Sequence, residues 1–379
     1  MSAFGGQADI AIPGVMSAFN PKRTSASISC CSSEVGFRPY QSTRWSRYDA
    51  RLGVDMRRRE FLGVLGGAAV AWPLVAHAQQ GQRVRRVGVL WPGASAPASP
   101  RLESFREGLR EAGYIEGQNL IIELRYSRRG SQHLPELAAE LVRLNVEVIQ
   151  ASGDYAPKIA QQATGTIPIL AFTDDVLGAG LVASLSRPGG NTTGLTILAP
   201  ELSAKRLEIL SEIVPGLSRV AALWDPTSGI SQVSMTEDAA RAKNIQLQVL
   251  KVQHRDDLAE AFATARKGEA QAVNVFASPF LSSLSGEIIG IAAAHRVPTI
   301  YQWKENVENG GLVSYGPSLV QLWRQAGNIA AKLLKGAKPA DMPVEQPTKF
   351  ELVVNTRTAK AIGINLPPSL LVRADEVVD

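Results

Sequence analysis

Short hydrophobic segments alternate with amphipathic helical patterns over most of the chain. Residues 86–91, RVGVLW, form an apolar run typical of a buried strand, and apolar side chains recur at near-helical spacing through residues 100–114. Gly113 stands where that helix is expected to end. The alternation continues to residue 186 and predicts parallel strands connected by helices. The next predicted strands are 120–124, 146–150 and 168–172, and the next predicted helices are 132–144, 156–164 and 177–186.

The alternation pauses at the turn-rich segment 187–191, RPGGN, and then starts again with a similar sequence. RRVGVLWPGAS at 85–95 is similar to SRVAALWDPTS at 218–228, since both end a hydrophobic segment with Leu-Trp and continue to Pro and Ser. Chance similarity of two buried strands does not account for the renewed alternation that follows. We therefore predict an α/β fold with two doubly wound parallel-sheet lobes. The second set of predicted strands lies near 246–251, 272–276, 298–301, 310–316 and 349–355, with helices at 318–335 and 356–362.

The last elements are expected to cross back between the lobes, as is common in two-lobed sheet proteins. We predict an N-terminal lobe of residues 79–197 plus 317–340 and a C-terminal lobe of residues 198–316 plus 341–379. Crossings near 197–200, 314–317 and 341–347 would then form a three-segment hinge.

Residues 56–80, MRRREFLGVLGGAAVAWPLVAHAQQ, have the three parts of an export signal: an arginine-rich start, an uncharged apolar run, and small residues at Ala76 and Ala78. The apolar run is shorter than the roughly 20 residues of a membrane-spanning helix. Arg58-Arg59 before Phe61-Leu62 is similar to the twin-arginine motif, with a general secretory signal as the alternative. We predict a cleavable signal over 56–78 and a periplasmic protein. Residues 1–55 are predicted to be a disordered extension or an over-extended gene prediction starting upstream of Met56.

Charge and cysteine content narrow the class once the predicted signal is removed. Residues 1–78 hold nine Lys/Arg and five Asp/Glu, so four of the five net positive charges of the chain lie there. The remaining chain is nearly neutral, and we expect no nucleic-acid partner. Both cysteines, Cys30 and Cys31, also precede the signal, which leaves no disulfide, thiolate metal site or lipid-anchoring cysteine. A freely soluble exported protein is expected.

Several long blocks resemble one protein family. FREGLREAGYIEGQNLIIELRY, ASLSRPGGNTTGLT, GGLVSYG, KPADMPVEQPTKFELVVN and LPPSLLVRADEVV are similar to ABC transporter substrate-binding proteins of the tryptophan/tyrosine-binding type, and the resemblance covers residues 56–379. It implies a type I periplasmic binding protein fold whose two lobes close over a small solute. It also implies an amino acid or related small carboxylate as the ligand, ABC permease and ATPase subunits as partners, no cofactor or metal, and a monomer.

Ligands of open α/β sheets bind beyond the carboxyl ends of the strands, so the residues that follow the predicted strands are candidates for the binding site. Unpaired N–H groups at helix starts near Ser95 and Ser152 suit a carboxylate. Asp174 or Asp175 suits an ammonium group, and aromatic side chains supply flat walls. Helix capping and strand-end packing are the alternative roles of these residues. The predicted ligand-binding residues are Trp91, Ser95, Ser152, Asp154, Tyr155, Thr173, Asp174, Asp175, Trp224, Asp225, Ser278, Tyr301 and Tyr315.

Other functions fit the sequence less well. Residues 79–379 contain no HExxH, Gly-x-Ser-x-Gly or P-loop motif, so we expect no catalytic residues. A hydrolase without such a motif is the less favoured alternative. A DNA-binding regulator shares the predicted fold but needs a DNA-binding module, of which residues 1–55 show no pattern. A periplasmic sensor that presents its ligand to a receptor is the other alternative to transport.

Overall fold

The computed structural model of the chain describes residues 83–93, 100–127 and 131–379. The predicted extension, the predicted signal and Ser95 lie outside these residues. In the described part, no helix is long and apolar enough to cross a bilayer.

A five-stranded parallel sheet forms the first lobe. Its strand order is β2-β1-β3-β4-β5. Apolar clusters cover both faces of the sheet, which explains why nearly all residues of β1, β3, β4 and β5 are buried and why β1 and β4 are largely hydrophobic. The elements are β1 (Arg85–Trp91), α1 (Pro100–Glu111), β2 (Leu120–Tyr126), α2 (Leu134–Arg143), β3 (Val148–Ser152), α3 (Tyr155–Ala163), β4 (Ile169–Thr173) and β5 (Thr192–Thr196).

A seven-stranded sheet forms the second lobe in the order β12-β11-β10-β9-β8-β6-β7. Only β11 runs antiparallel to a neighbour, β10; the other pairs are parallel. The elements are α4 (Ala199–Ile213), β6 (Arg219–Trp224), α5 (Ser231–Ala242), β7 (Gln246–Lys251), α6 (Asp257–Lys267), β8 (Ala272–Val275), α7 (Pro279–Ser283), α8 (Ser285–Ala294), β9 (Thr299–Tyr301), α9 (Lys304–Glu308), β10 (Val313–Gly316), α10 (Leu319–Leu334), β11 (Glu351–Asn355), α11 (Thr356–Ile362), α12 (Pro368–Arg373) and β12 (Glu376–Val378).

The sequence repeat corresponds to a structural repeat. Strands β1 and β6, which carry the two similar segments, each lie between the second and third strands of their own sheet. The predicted fold class, two parallel-sheet α/β lobes, is confirmed.

Helix α10 belongs to the first lobe although it follows the second sheet in sequence. It packs along α1, and its apolar face joins the cluster on β1, β3, β4 and β5. The two helices approach so closely that a Cβ on Gly108 would overlap the carbonyl oxygen of Arg324, and one on Gly327 would overlap that of Phe105. Glycine is therefore required at both positions.

The chain passes between the lobes three times. It leaves the first sheet after β5 at Leu198, which has a left-handed backbone with φ 57°, and it returns between β10 and α10. The third passage follows Glu345, because Glu345 still pairs with the first sheet: its N–H donates to Gly194 O at 2.8 Å and its carbonyl accepts from Thr196 N at 3.1 Å. Residues 341–345 thus run beside the first lobe, whereas our boundary placed them in the second.

The predicted helix over residues 177–186 is wrong, because this segment is a series of turns. Gly180 has φ 68°, which a helix does not accommodate. The Asp175 carboxylate accepts the Gly178 N–H at 2.9 Å, a local bond that competes with helix formation. The apolar residues Val176 and Leu181 instead pack against Val344 as a small separate cluster.

Candidate ligand-binding cleft

A small cavity lies between the lobes at the carboxyl ends of β1, β3 and β4, where the sequence predicts the ligand. Its volume is about 20 Å³. The second lobe closes it from the other side with the start of α7 and the residue before α9. The lining residues are Trp91, Arg101, Ser152, Gly153, Phe172, Asp174, Ile197, Ser278, Pro279, Ser282, Trp303, Leu319 and Trp323.

The lobes touch across this cavity, so the structure shows a closed arrangement. A Cβ on Gly153 of the first lobe would lie 2.9 Å from the Pro279 ring of the second. Trp303, from the second lobe, is 5% exposed and belongs to the apolar cluster of the first lobe. A solute reaches the cavity only if the lobes part.

Two buried carboxyl groups lie side by side at the ends of β3 and β4. Asp154 Oδ1 accepts the backbone N–H groups of Asp174 at 3.0 Å and Asp175 at 3.2 Å. Burial raises the pKa of Asp154 to about 7, although these two N–H groups oppose the change. Asp154 Oδ2 faces the second lobe, where a Cβ on Gly229 would lie 3.7 Å away.

Asp174 lines the cavity, and its Oδ2 is buried without a hydrogen bond of normal geometry. Burial, followed by the charge of Asp154, raises its pKa well above the usual range. Ser228 lies close enough to lower this pKa, yet its own Oγ also lacks a well-formed hydrogen bond. A buried carboxyl oxygen without a partner is costly, and it marks a place where a ligand donor would be favoured.

Arg206 brings a positive charge to the same region from α4. Its guanidinium donates to the Tyr315 carbonyl at 3.1 Å and to Ser203 Oγ at 2.8 Å, and so connects α4 to the second interlobe passage. Burial lowers the pKa of Arg206 to about 9, while the charge of Asp174 acts in the opposite direction.

Arg101, at the start of α1, is a second cation on the cavity wall. Its guanidinium carbon lies 5.6 Å from the centroid of the Trp91 ring, a cation–π distance. Burial lowers the pKa of Arg101, and the charge of Glu305 in the second lobe raises it. Within the described part of the chain, Arg101 makes no hydrogen bond or ion pair, so its N–H groups are available to a ligand carboxylate.

Four of the predicted site residues, Trp91, Ser152, Asp174 and Ser278, line the cavity. Several of the predicted residues already have structural partners. Ser278 caps α7, because its Oγ accepts from Phe280 N at 3.0 Å and Leu281 N at 3.2 Å. It also donates to Asp225 Oδ2 at 2.6 Å. Ser152 Oγ accepts from Gln150 Nε2 at 2.8 Å. These side chains hold the rim of the cleft in place.

The predicted aromatic walls are distributed differently. Trp91 lines the cavity, whereas Trp224 donates its indole N–H to Gly229 O at 2.8 Å and packs against the cluster of Ala222, Val233 and Phe276. Tyr301 is buried in a core cluster of the second lobe, and burial raises its pKa. Tyr315 stacks near Phe350 with centroids 6.1 Å apart. Tyr155 packs beside the core of the first lobe. Thr173 donates its hydroxyl to the backbone carbonyl of Leu195.

Nine of the thirteen lining residues are not among the predicted site residues, and four of the nine have large aromatic or charged side chains: Arg101, Phe172, Trp303 and Trp323. Phe172 ends β4 and Trp303 follows β9, so the strand-end rule would have found both. Arg101 and Trp323 lie on helices, and only the packing of α1 and α10 brings them to the cleft.

Comparisons with known proteins show the family to which the chain belongs. Residues 97–378 match the family described as ABC transporter substrate binding protein. The chain belongs to this family. The Tyrosine-binding protein of Clostridioides difficile (strain R20291) is 26% identical over 267 residues, which span 69% of this chain and 76% of that protein. The predicted resemblance is therefore confirmed.

Two solved structures share the fold along their whole length. The ABC domain in complex with L-Trp from Streptococcus pneumonia is 25% identical with a TM-score of 0.71, covering 78% of this chain and 99% of that one. A conserved domain protein from Vibrio cholerae is 24% identical with a TM-score of 0.72, covering 78% and 100%. Our chain is thus a member of a substrate-binding family with the type I periplasmic binding fold.

Proposed function

We propose that this protein is the periplasmic solute-binding component of an ABC uptake transporter and that it binds an amino acid between its lobes. The observation that carries the proposal is an acidic and a basic side chain on the same cavity wall. Asp174 Oδ2 is buried without a well-formed hydrogen bond, and Arg101 has free donors in the described structure. An α-amino acid carries the matching ammonium and carboxylate groups.

Closure explains how binding becomes a signal. A solute that contacts Asp174 and Arg101 in the first lobe, and Ser282 or Trp303 in the second, gains contacts only when the lobes meet. Its differential affinity then shifts the protein toward the closed form. The three interlobe passages absorb the rotation. An ABC permease with its ATPase would recognise that form and take up the solute, with the binding protein acting as a monomer.

The names of the relatives support an amino-acid ligand, since one is called tyrosine-binding and another was solved with L-Trp. The segment 56–78 supports export to the periplasm, by the twin-arginine route in our proposal. N-terminal sequencing of the periplasmic protein tests this point, and we expect a mature chain that begins near Gln79.

Isothermal titration of the purified protein with the common L-amino acids tests the function itself. Asp174→Asn should weaken binding at least 10-fold, because a hydrogen bond to a charged group contributes about 1.5–3 kcal/mol. Asp175→Asn is the matched control, since that carboxylate only accepts the Gly178 N–H and does not line the cavity. Equal effects of the two substitutions, or no binding of any amino acid, would contradict the proposal.

A further inference from the structure

Three of the four aromatic rings that line the cavity are paired with one another, and the fourth, Trp303, donates its indole N–H to Ser282 Oγ at 3.3 Å. Trp323 stacks on Phe172 with centroids 5.2 Å apart and planes 26° apart, and it lies 5.4 Å from Trp91. The edge of Phe105 approaches it at 6.2 Å. Arg101 lies over Trp91. The three paired rings leave little of their own surface for stacking the ring of a ligand.

The Trp323 indole cannot withdraw easily from this position. It is 2% exposed and lies on α10, whose backbone is in direct contact with α1 at Gly108 and Gly327. Rotation of the side chain alone would break its contacts with three aromatic rings. The indole is therefore a fixed part of the cavity wall.

Among the described residues, two buried polar atoms of the cavity-lining side chains lack a well-formed hydrogen bond. Trp323 Nε1 is buried and has no acceptor in the described structure, and Asp174 Oδ2 also lacks a well-formed hydrogen bond. Buried polar atoms normally have a partner. Trp323 itself lines the cavity, so an acceptor on a bound ligand would supply the partner that this N–H lacks.

Building on the proposed function, we propose that Trp323 is a specificity-determining residue that restricts the cleft to amino acids with small side chains. Its ring fills the space that an aromatic ligand side chain would need, and its N–H donates to the ligand carboxylate beside Arg101. Asp174 holds the ammonium group. The ligand class is thus a small zwitterion such as glycine, alanine or serine.

The closed cavity is too small for any amino acid, so every ligand requires the lobes to part. At about 20 Å³, the closed cavity is near the roughly 10–15 Å³ that a single water occupies by this measure. A slight parting of the lobes admits a small amino acid. A tyrosine or tryptophan side chain also requires displacement of the Trp323 ring, against its three aromatic contacts.

Titration calorimetry with glycine, L-alanine, L-serine, L-tyrosine and L-tryptophan tests the inference on the wild type and on Trp323→Phe and Trp323→Ala. The wild type should bind at least one small amino acid 10-fold or more tightly than either aromatic one. Trp323→Phe, which keeps a ring but removes the N–H, should weaken small-ligand binding about 10-fold. Trp323→Ala should shift the ratio of affinities toward the aromatic ligands by 10-fold or more.

The ratio of the two ligand classes is the informative readout, because a general loss of stability lowers both affinities together. Trp224→Phe is the matched control: it removes an indole N–H outside the cavity and should leave the ratio unchanged. If Trp323→Ala does not fold, as judged by circular dichroism, the wild-type ratio and the conservative Phe variant decide the question.

Tighter binding of tyrosine or tryptophan by the wild type would overturn the role of Trp323 while leaving the proposed function intact. If Trp323→Phe binds the small amino acids with unchanged affinity, the proposed hydrogen bond from the Trp323 N–H to the ligand carboxylate is overturned, and the proposed function again remains intact. Failure of all five amino acids to bind the wild type would overturn this inference, and titration with the remaining common amino acids would then decide the proposed function separately.

Discussion

Replacement of Asp154 by asparagine should change how the stability of the protein depends on pH. Asp154 packs against Asp174 and Asp175, near the charge of Lys158, and faces Gly229 of the second lobe. Burial raises its pKa from the ordinary 3.8 to about 7. The folded protein therefore holds this proton more tightly than the unfolded chain does.

The sign and size follow from proton linkage. The contribution of Asp154 to stability is fully present below about pH 4 and is lost as pH rises to about 7, the pKa in the folded protein. The loss amounts to about 4 kcal/mol, at about 1.4 kcal/mol for each pKa unit. The asparagine side chain of the variant stays neutral at every pH, and its amide oxygen still accepts the two backbone N–H groups.

Thermal melts of the wild type and Asp154→Asn from pH 4 to pH 8 measure this difference. Their Tm values should agree near pH 4, and the variant should melt about 5–10 °C higher at pH 8, given about 2 °C or more for each kcal/mol. Asp238→Asn, at an exposed ion pair on α5, should change Tm little at either pH. Parallel pH curves for Asp154→Asn and the wild type, or a variant less stable at pH 8, would refute the reasoning.

Three further predictions follow from single contacts. Gly327→Ala should destabilise the protein by about 1–3 kcal/mol in urea unfolding, because its Cβ has no room between α10 and α1. The control Gly290→Ala, in open space on α8, should instead stabilise the protein by about 0.5–1 kcal/mol. Equal effects of the two substitutions would argue against the tight helix contact. Ser278→Ala should lower the free energy of unfolding by about 1–3 kcal/mol, since it removes the cap of α7 and the hydrogen bond to Asp225. An unchanged urea midpoint would show that these hydrogen bonds do not stabilise the fold. Amino-acid binding should release protons at neutral pH, because burial raises the pKa of Asp174 in the free protein and the ligand ammonium group favours its ionised form. Calorimetry in buffers of different ionisation enthalpy detects this release. Identical binding heats in all buffers would contradict it.

The fold was predictable because the hydrophobic pattern is strong and repeated. The Leu-Trp strands at 85–91 and 219–224 occupy matching positions in the two sheets, as their similarity predicted. The pattern failed at residues 177–186, where apolar residues at helical spacing coincide with Gly178, Gly180 and a local Asp175 bond. The sequence analysis also did not predict β5 and α4, because these elements follow a turn-rich segment after which the strand–helix pattern is hard to recognise.

The site was only partly predictable, for a physical reason. The rule that ligands lie beyond strand ends led to Trp91, Ser152 and Asp174, which do line the cavity. It also selected Tyr301, which is buried in a core, because strand position does not specify the environment of a side chain. Trp323 reaches the cleft from a helix far beyond β4 in sequence, and only the Gly108–Gly327 contact between helices determines that placement.

The central claim is that the two lobes close over an amino acid, and a disulfide across the cleft measures closure most directly. The Cβ of Ser283 lies 3.5 Å from the position of a Cβ on Gly93, which is within the usual disulfide range of about 3.5–4.5 Å. In a chain with Cys30 and Cys31 changed to serine, the rate at which Gly93→Cys and Ser283→Cys become linked reports the closed fraction. Our account predicts that a saturating amino acid ligand increases this rate and that Asp174→Asn removes the increase. A rate that no amino acid changes would contradict it.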